Sequence, residues 1–176
     1  MQTRLKNRKE QIVSLALELL KAKGFENFSY QDLAKELGIT KASIHHHFPK
    51  KADLGVALCQ AIQEWHKCEF AKMQAMTCSA MEKLEIYING MLGFACGNTK
   101  VCPLSSLQAD IALLPDEMKQ ALKRLDEHEL AFIGGILAQG RASGEMNFVG
   151  STEHQALLFV LSCKGALQYS RVHGGS

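Results

Sequence analysis

Apolar residues recur every three or four positions along nearly the whole chain, and nowhere does an apolar and polar alternation run long enough to make a strand. The pattern predicts a protein built of helices. The first should run from about Arg4 to Lys23 with Ile12, Ala16 and Leu19 inward, and Gly24 should end it as the C′ residue. A second starts at Ser29, an N-cap with Asp32 three residues on as its capping-box partner, and buries Leu33, Ala34 and Leu37. Gly38 supplies a turn where a Cβ would be costly. The third helix is very short. It starts at the N-cap Thr40, turns Lys41, Ala42, Ser43, His45 and His46 outward, and points Ile44 and Phe48 in.

The rest of the chain continues in the same way. A fourth helix begins near Lys51 and runs to about Met76, with an apolar stripe of Leu54, Leu58, Ala61, Ile62, Trp65, Cys68 and Met73. Ser79 and Glu82 form a capping box for a fifth, whose inward positions are Met81, Leu84, Ile88, Met91, Leu92 and Ala95. Residues 97–100 break the pattern, and a sixth helix opens at Pro103 with Leu104, Leu107 and Ile111 inward. Pro115 and Asp116 restart the chain as a seventh that ends at Gly144, and Ser151 or Thr152 caps a last helix reaching about Val172. No Gly/Pro/Ser-rich linker separates the third helix from the fourth, so tilting one must move the other.

Two short helices across a tight turn, the second with small and polar residues outward, make a helix-turn-helix whose second member suits a DNA major groove. The same residues carry a resemblance. Ile12, Ala16 and Leu19, Gly24-Phe25, Asp32-Leu33-Ala34, Gly38-Ile39-Thr40-Lys41, Ile44, His47-Phe48, Lys51 and Leu54 resemble, at fixed spacing, the DNA-binding domain of the TetR family of bacterial transcriptional regulators. Three features depart from the family pattern. His45 stands where Tyr is usual, Phe28 where Thr is common, and the chain stops at Ser176 soon after the first of the two C-terminal helices through which such chains dimerise. The expected fold is therefore all-α: an N-terminal three-helix helix-turn-helix DNA-binding domain, residues 1–50, joined by a long helix to a C-terminal helical ligand-binding and dimerisation domain, residues 51–176.

Charge changes this picture only once it is divided. The formal net charge is +2, but residues 1–54 hold ten Lys and Arg against six Asp and Glu, while residues 55–176 hold ten against twelve. A basic head on a mildly acidic body suits a head that meets phosphates. The N-terminal residues contain no apolar signal segment and the longest apolar run is far too short to cross a bilayer, so a cytoplasmic protein without a membrane partner is expected. The six cysteines would then be reduced thiols, and none of their spacings makes a zinc ladder.

The candidate sites follow. The Lys51 ammonium and the Thr40 hydroxyl bracket the reading helix and suit phosphate oxygens, and the resemblance implies the same role for Lys51. Lys41, Ala42 and Ser43 are placed for base edges, with Ala42 small enough to meet a thymine methyl. His45 and His46 lie at the groove edge, where an imidazolium would donate to phosphate better than a neutral ring. Ser29, Tyr30 and Gln31 at the start of the second helix should face the adjacent backbone. Three consecutive histidines on a helix point about 100° apart and do not converge on one ion, so no metal is expected.

The resemblance also implies an unknown small-molecule inducer held among the fourth to seventh helices, where Trp65, His66, Tyr87, Met91 and Gln108 are the candidate partners. It implies a homodimer on a double-stranded DNA operator, with Gly135, Ile136, Leu157 and Leu161 as the interface candidates. Cys102 at the start of the sixth helix, with Cys96 before the break, is the candidate for an alternative reading as a thiol-based redox or electrophile sensor. A helical interaction module that had lost DNA binding is the alternative of another class. Such a dead reader would tend to carry acids at the start of the third helix, where this chain has Lys41. No GxSxG, HExxH or phosphate loop is present, so neither an enzyme nor a cofactor is expected.

Overall fold

The computed structural model describes residues 7–95 and 101–173. Among these residues every regular element is a helix: α1 Arg8–Lys23, α2 Tyr30–Leu37, α3 Lys41–His47, α4 Lys51–Ala75, α5 Ala80–Ala95, α6 Pro103–Ala109, α7 Asp116–Ala142 and α8 Thr152–His173. The fold is all-α with an N-terminal helix-turn-helix. Residues 97–100, which the pattern reads as a break, and Cys96 lie outside the described residues, as do Arg4 and the terminal residues 174–176.

Local chemistry sets most of the helix ends. α1 starts at Arg8, where extended Asn7 caps it, its side chain accepting from the Glu10 backbone N–H at 2.9 Å. α2 has a complete capping box, since the Asp32 backbone N–H donates to Ser29 Oγ at 3.3 Å and the Ser29 N–H donates to Asp32 Oδ2 at 2.7 Å. Gly38 ends α2 in the left-handed region, φ +63°, which lets the chain reverse into α3 within two residues. Thr40 caps α3 by accepting from the Ser43 N–H at 3.1 Å. The box at α5 is also present, with the Ser79 N–H donating to Glu82 at 2.7 Å and the Glu82 N–H donating to Ser79 Oγ at 3.1 Å.

The chain divides into two compact units. The first comprises the residues up to Gln63 together with Pro103–Lys123, and the second comprises Glu64–Cys102 with the residues from Arg124 onward. In the first, Ile12, Leu20, Phe25, Leu33, Ile44, Leu54 and Leu58 are almost fully buried, joined by Leu104, Leu107 and Met118 from α6 and α7. Two polar contacts tie α6 to the end of α1: Ser106 Oγ donates to the Leu20 carbonyl at 3.2 Å, and the Phe25 N–H donates to Asp110 at 3.2 Å. The helix-turn-helix therefore shares a core with a segment that lies eighty-five residues away in sequence.

The stripe of α4 differs from its expected course after Ile62. The buried line continues through His66, Phe70 and Met73, whereas Trp65 is 52% exposed and Cys68 is also exposed. Steps of four residues from Leu54 lead to Leu58, Ile62, His66 and Phe70 on one face, and Trp65 falls off it. Trp65 is the more apolar of the two neighbours, but helical phase puts His66 on the buried line.

Gly55 in α4 marks a close approach. A Cβ there would collide with the Met118 side chain and come within 2.9 Å of the Phe25 ring. Gly90 in α5 is a helical glycine with nothing within 4 Å of such a Cβ. Gly55→Ala should therefore destabilise the protein by roughly 1–3 kcal/mol through overpacking, while Gly90→Ala should stabilise it by about 0.5–1 kcal/mol. Urea denaturation of both variants checks the pair, and equal effects would contradict the packing at Gly55.

Candidate nucleic-acid interface and buried polar cluster

α3 is only seven residues long, too short to hold its own shape in water, so its geometry comes from its neighbours. Ile44 and Phe48 are buried, while Lys41, Ala42, His45 and His46 are exposed and Ser43 is half-buried. The outward and inward residues of α3 are those its sequence pattern implies. Lys41 at the start of the helix and the three histidines in its last turn leave this exposed face without a carboxylate of its own.

Tyr30 departs from its expected role. Its side chain is buried, and its hydroxyl lies 2.8 Å from the carbonyl oxygens of both Phe48 and Lys50, sharing its proton between them. Those carbonyls lie at the exit of α3, so Tyr30 pins the end of that helix instead of facing a DNA backbone. Burial first, and the nearby Asp53 carboxylate second, push its phenol up to about 12. Ser29 departs too. Its N–H and its hydroxyl both donate to Asp32 Oδ2 at 2.7 Å, which leaves it no donor for a phosphate. Those bonds, the side-chain one foremost, hold the Asp32 carboxyl below the usual carboxylate range. Gln31 beside them is exposed, and the Thr40 hydroxyl acts as a cap acceptor and keeps its own proton for a further partner.

Lys51 is half-buried at the start of α4. Its ammonium sits 4.8 Å from the centre of the Phe25 ring and 5.2 Å from that of Phe28, and it reaches the Glu26 carbonyl at 3.5 Å. The aromatic pair holds the cation over the turn between α1 and α2. Phe28, the residue that departs from the family pattern, is one of the two rings.

The expected inducer residues divide between the units. Gln108 belongs to the first, and Trp65, His66, Tyr87 and Met91 to the second. Trp65 is exposed and does not line an interior, whereas His66, Tyr87 and Met91 are buried. The second unit also contains a cluster the sequence pattern did not single out. The Tyr87 hydroxyl donates to Glu129 Oε1 at 2.8 Å, and the Lys164 ammonium lies 2.7 Å from Glu129 Oε2. His66 stacks on Phe70 at 4.9 Å, and Phe70 stacks flat on Phe132 at 3.9 Å. Burial, with Glu129 alongside, raises the Tyr87 phenol, and burial raises the Cys163 thiol. Burial lowers the His66 imidazole; Glu129 opposes that shift, and His128 and Lys164 add to it.

Each of these residues betrays itself in hindsight. Glu129 lies four residues after Leu125 and four before Ile133, on the apolar line of α7, and Lys164 lies four after Val160 and three before Leu167 on that of α8. A charged residue on an apolar stripe is the signal of a buried pair.

Of the interface candidates, Leu157 and Leu161 are 42% and 56% exposed and Gly135 is open, but Ile136 is only 4% exposed. Ile136 is already covered by its own chain and supports that face from within. Cys102 is buried, and its expected partner Cys96 lies outside the described residues. No helix among the described residues is long and apolar enough to cross a membrane.

A trihelical head with a capped, exposed second helix after a tight turn defines the class of helix-turn-helix DNA-binding proteins. Residues 12–58 match the domain described as "Bacterial regulatory proteins, tetR family". The chain is 25% identical over 169 residues to the transcriptional regulator AcuR of Cereibacter sphaeroides, covering 90% of this chain and 74% of AcuR. It is 25% identical over 109 residues to the nucleoid occlusion factor SlmA of Marinomonas sp., but spans only 55% of that protein's length. The crystal structure of a TetR transcriptional regulator from Legionella pneumophila superposes with a TM-score of 0.89 at 26% identity, covering 98% of this chain and 91% of that one. Residues 12–58 thus match the TetR-family DNA-binding domain, and the chain as a whole shares the fold of TetR-family helix-turn-helix transcriptional regulators.

His66 gives the second unit a pH dependence. Its folded-state value lies below that of a free imidazole, near pH ~6.5, so between the two the unfolded chain holds more protons. The stability it contributes is present above the free value and is lost as pH falls through the folded one. Melting temperature should fall less steeply from pH 7.5 to 5 in His66→Phe than in the wild type, and parallel curves would contradict the burial of a neutral imidazole.

Proposed function

We propose that the protein is a ligand-responsive repressor that holds a palindromic operator as a homodimer and releases it when a small-molecule inducer binds the C-terminal helices. The observation that carries this reading is the exposed face of α3, bearing Lys41, Ala42, His45 and His46 on a helix fixed by Ile44, Phe48 and the Tyr30 hydroxyl. Lys41, Ala42 and Ser43 read base edges. Thr40, His45, His46, Lys51 and the exposed Gln31 position the helix on phosphates. On this reading residues 1–50 form the DNA-binding domain, with Lys51 at its border adding a phosphate contact, and the remainder of residues 51–176 carries the sensing and pairing functions.

His66, Tyr87 and Met91 are the inducer candidates that burial supports. Polar groups inside a helical body lose hydration on burial and favour a partner that restores hydrogen bonds. The buried state of Cys102 gives no support to a thiol sensor, which needs an accessible thiolate.

The test is a fluorescence-anisotropy titration against the DNA flanking the protein's own gene, repeated over a series of salt concentrations. Binding should be saturable and weaken steeply with salt. Lys51→Ala should weaken binding to all sequences alike by roughly 1–2 kcal/mol and flatten the salt slope by about one unit. Lys41→Ala should instead narrow the gap between specific and scrambled duplexes. Unchanged affinity and slope in Lys51→Ala would overturn the assigned orientation of the reader.

Pairing has its own support. Leu157, Leu158, Leu161 and Tyr169 on α8 are exposed, with Tyr169 at 67%, and nothing lies within 4 Å of a Cβ added at Gly135 on α7. An apolar face of this kind marks an interaction surface. The chain should sediment as a stable dimer at micromolar concentration. Leu161→Glu and Gly135→Leu should each give folded monomers, since both sites are open in the single chain. A monomeric wild type would leave pairing on the DNA as the only form of dimer.

A further inference from the structure

His45 is an exposed residue in the last turn of α3, and its ring is oriented by two contacts. Nδ1 lies 3.3 Å from the Pro49 carbonyl oxygen, and the ring meets the edge of Tyr30 with centroids 4.8 Å apart at 71°. Tyr30 is itself fixed by the Phe48 and Lys50 carbonyls, so the wall behind the imidazole is rigid.

A carbonyl oxygen can only accept, so the hydrogen bond to Pro49 requires the proton on Nδ1. A neutral imidazole carries one N–H. With it committed to Pro49, Nε2 presents a bare lone pair, which repels a phosphate oxygen. Donating from Nε2 in the neutral ring would mean moving the proton and setting the Nδ1 lone pair against the Pro49 oxygen. Protonation removes the conflict, because the imidazolium keeps Nδ1–H on Pro49 and gains Nε2–H for the DNA.

Resting on the reading of α3 as the reading helix, we infer that His45 is a proton-gated phosphate contact: DNA binding takes up one solvent proton at Nε2, and operator affinity is tied to pH. Groups on α2 and α3 lie around it. From α2 it meets Tyr30, whose phenol stays neutral throughout the physiological range. At the start of α4, Asp53 accepts from the Lys50 N–H at 2.8 Å, so that carboxylate is already engaged. On α3 itself Lys41 stands one turn earlier, and His46 and His47 pack on each other with centroids 5.3 Å apart. The last turn of a helix favours a cation.

The test uses the full chain and a 30-base-pair duplex, about that length, that the protein itself selects from a random-sequence pool. Anisotropy at constant ionic strength should show affinity falling about five- to tenfold from pH 6 to pH 8. Circular dichroism at each pH keeps changes in folding apart from changes in binding. Calorimetry in two buffers of different ionisation enthalpy should count net proton uptake in the wild type. His45→Tyr, which carries a hydroxyl donor that does not titrate in this range, should bind with a clearly shallower pH profile, and His154→Gln, at an exposed position on α8, should keep the wild-type slope.

A pH slope shared by the wild type and His45→Tyr, or binding without proton uptake, would overturn the gate while leaving DNA binding intact. Failure of the wild type to bind any duplex at either pH would overturn the reading of α3, and the gate with it. If His45→Tyr does not fold, His45→Gln takes its place, and a wild-type count without uptake still overturns the gate.

Discussion

A seven-residue helix does not stand alone in water, and the DNA-facing end of this protein depends on how α3 is held. Three devices hold it. Thr40 caps its start, Ile44 and Phe48 bury its inner face, and the Tyr30 hydroxyl ties the carbonyls at its exit to α2. Leaving such buried carbonyls without a partner would cost about 1–3 kcal/mol, a large fraction of the margin by which a small domain folds. The same pin presents His45 against Tyr30 and brings the chain into α4, where Asp53 accepts from the Lys50 N–H and Lys51 settles over Phe25 and Phe28. Folding and presentation of the reading surface are thus one problem with one solution.

The second unit is built on a different balance. A carboxylate as buried as Glu129 would be expensive without partners, and it has two: the Lys164 ammonium on one oxygen and the Tyr87 hydroxyl on the other. His66 stays neutral beside them and is stacked on Phe70. An apolar cluster of similar volume would serve stability as well. The polar groups add direction to that packing, since each hydrogen bond and ion pair fixes one arrangement of α5, α7 and α8.

The helix-turn-helix was legible in the sequence because its signals are local. Ser29 with Asp32, Gly38 and Thr40 each act within a few residues, and the outward and inward residues of α3 follow from helical geometry alone. What sequence missed was tertiary. Tyr30 looks like a surface residue at a helix start until Phe48 and Lys50 are folded over it. Asp110 and Ser106 stabilise the end of α1 from a segment no local pattern connects to it. Trp65 is more apolar than its neighbour His66, yet helical phase buries His66 and leaves Trp65 exposed. Glu129 and Lys164 read as solvated charges until their partners are folded against them, although both interrupt apolar stripes.

The central claim is that the face of α3 meets DNA, and amide chemical-shift mapping tests it most directly. The isotopically labelled chain would be titrated with a duplex it has selected from random sequence. The account predicts the largest perturbations in residues 40–47 and at Lys51, with the buried Glu129 cluster changing far less. Perturbations confined to α7 and α8, or an unperturbed α3 under saturating DNA, would contradict it.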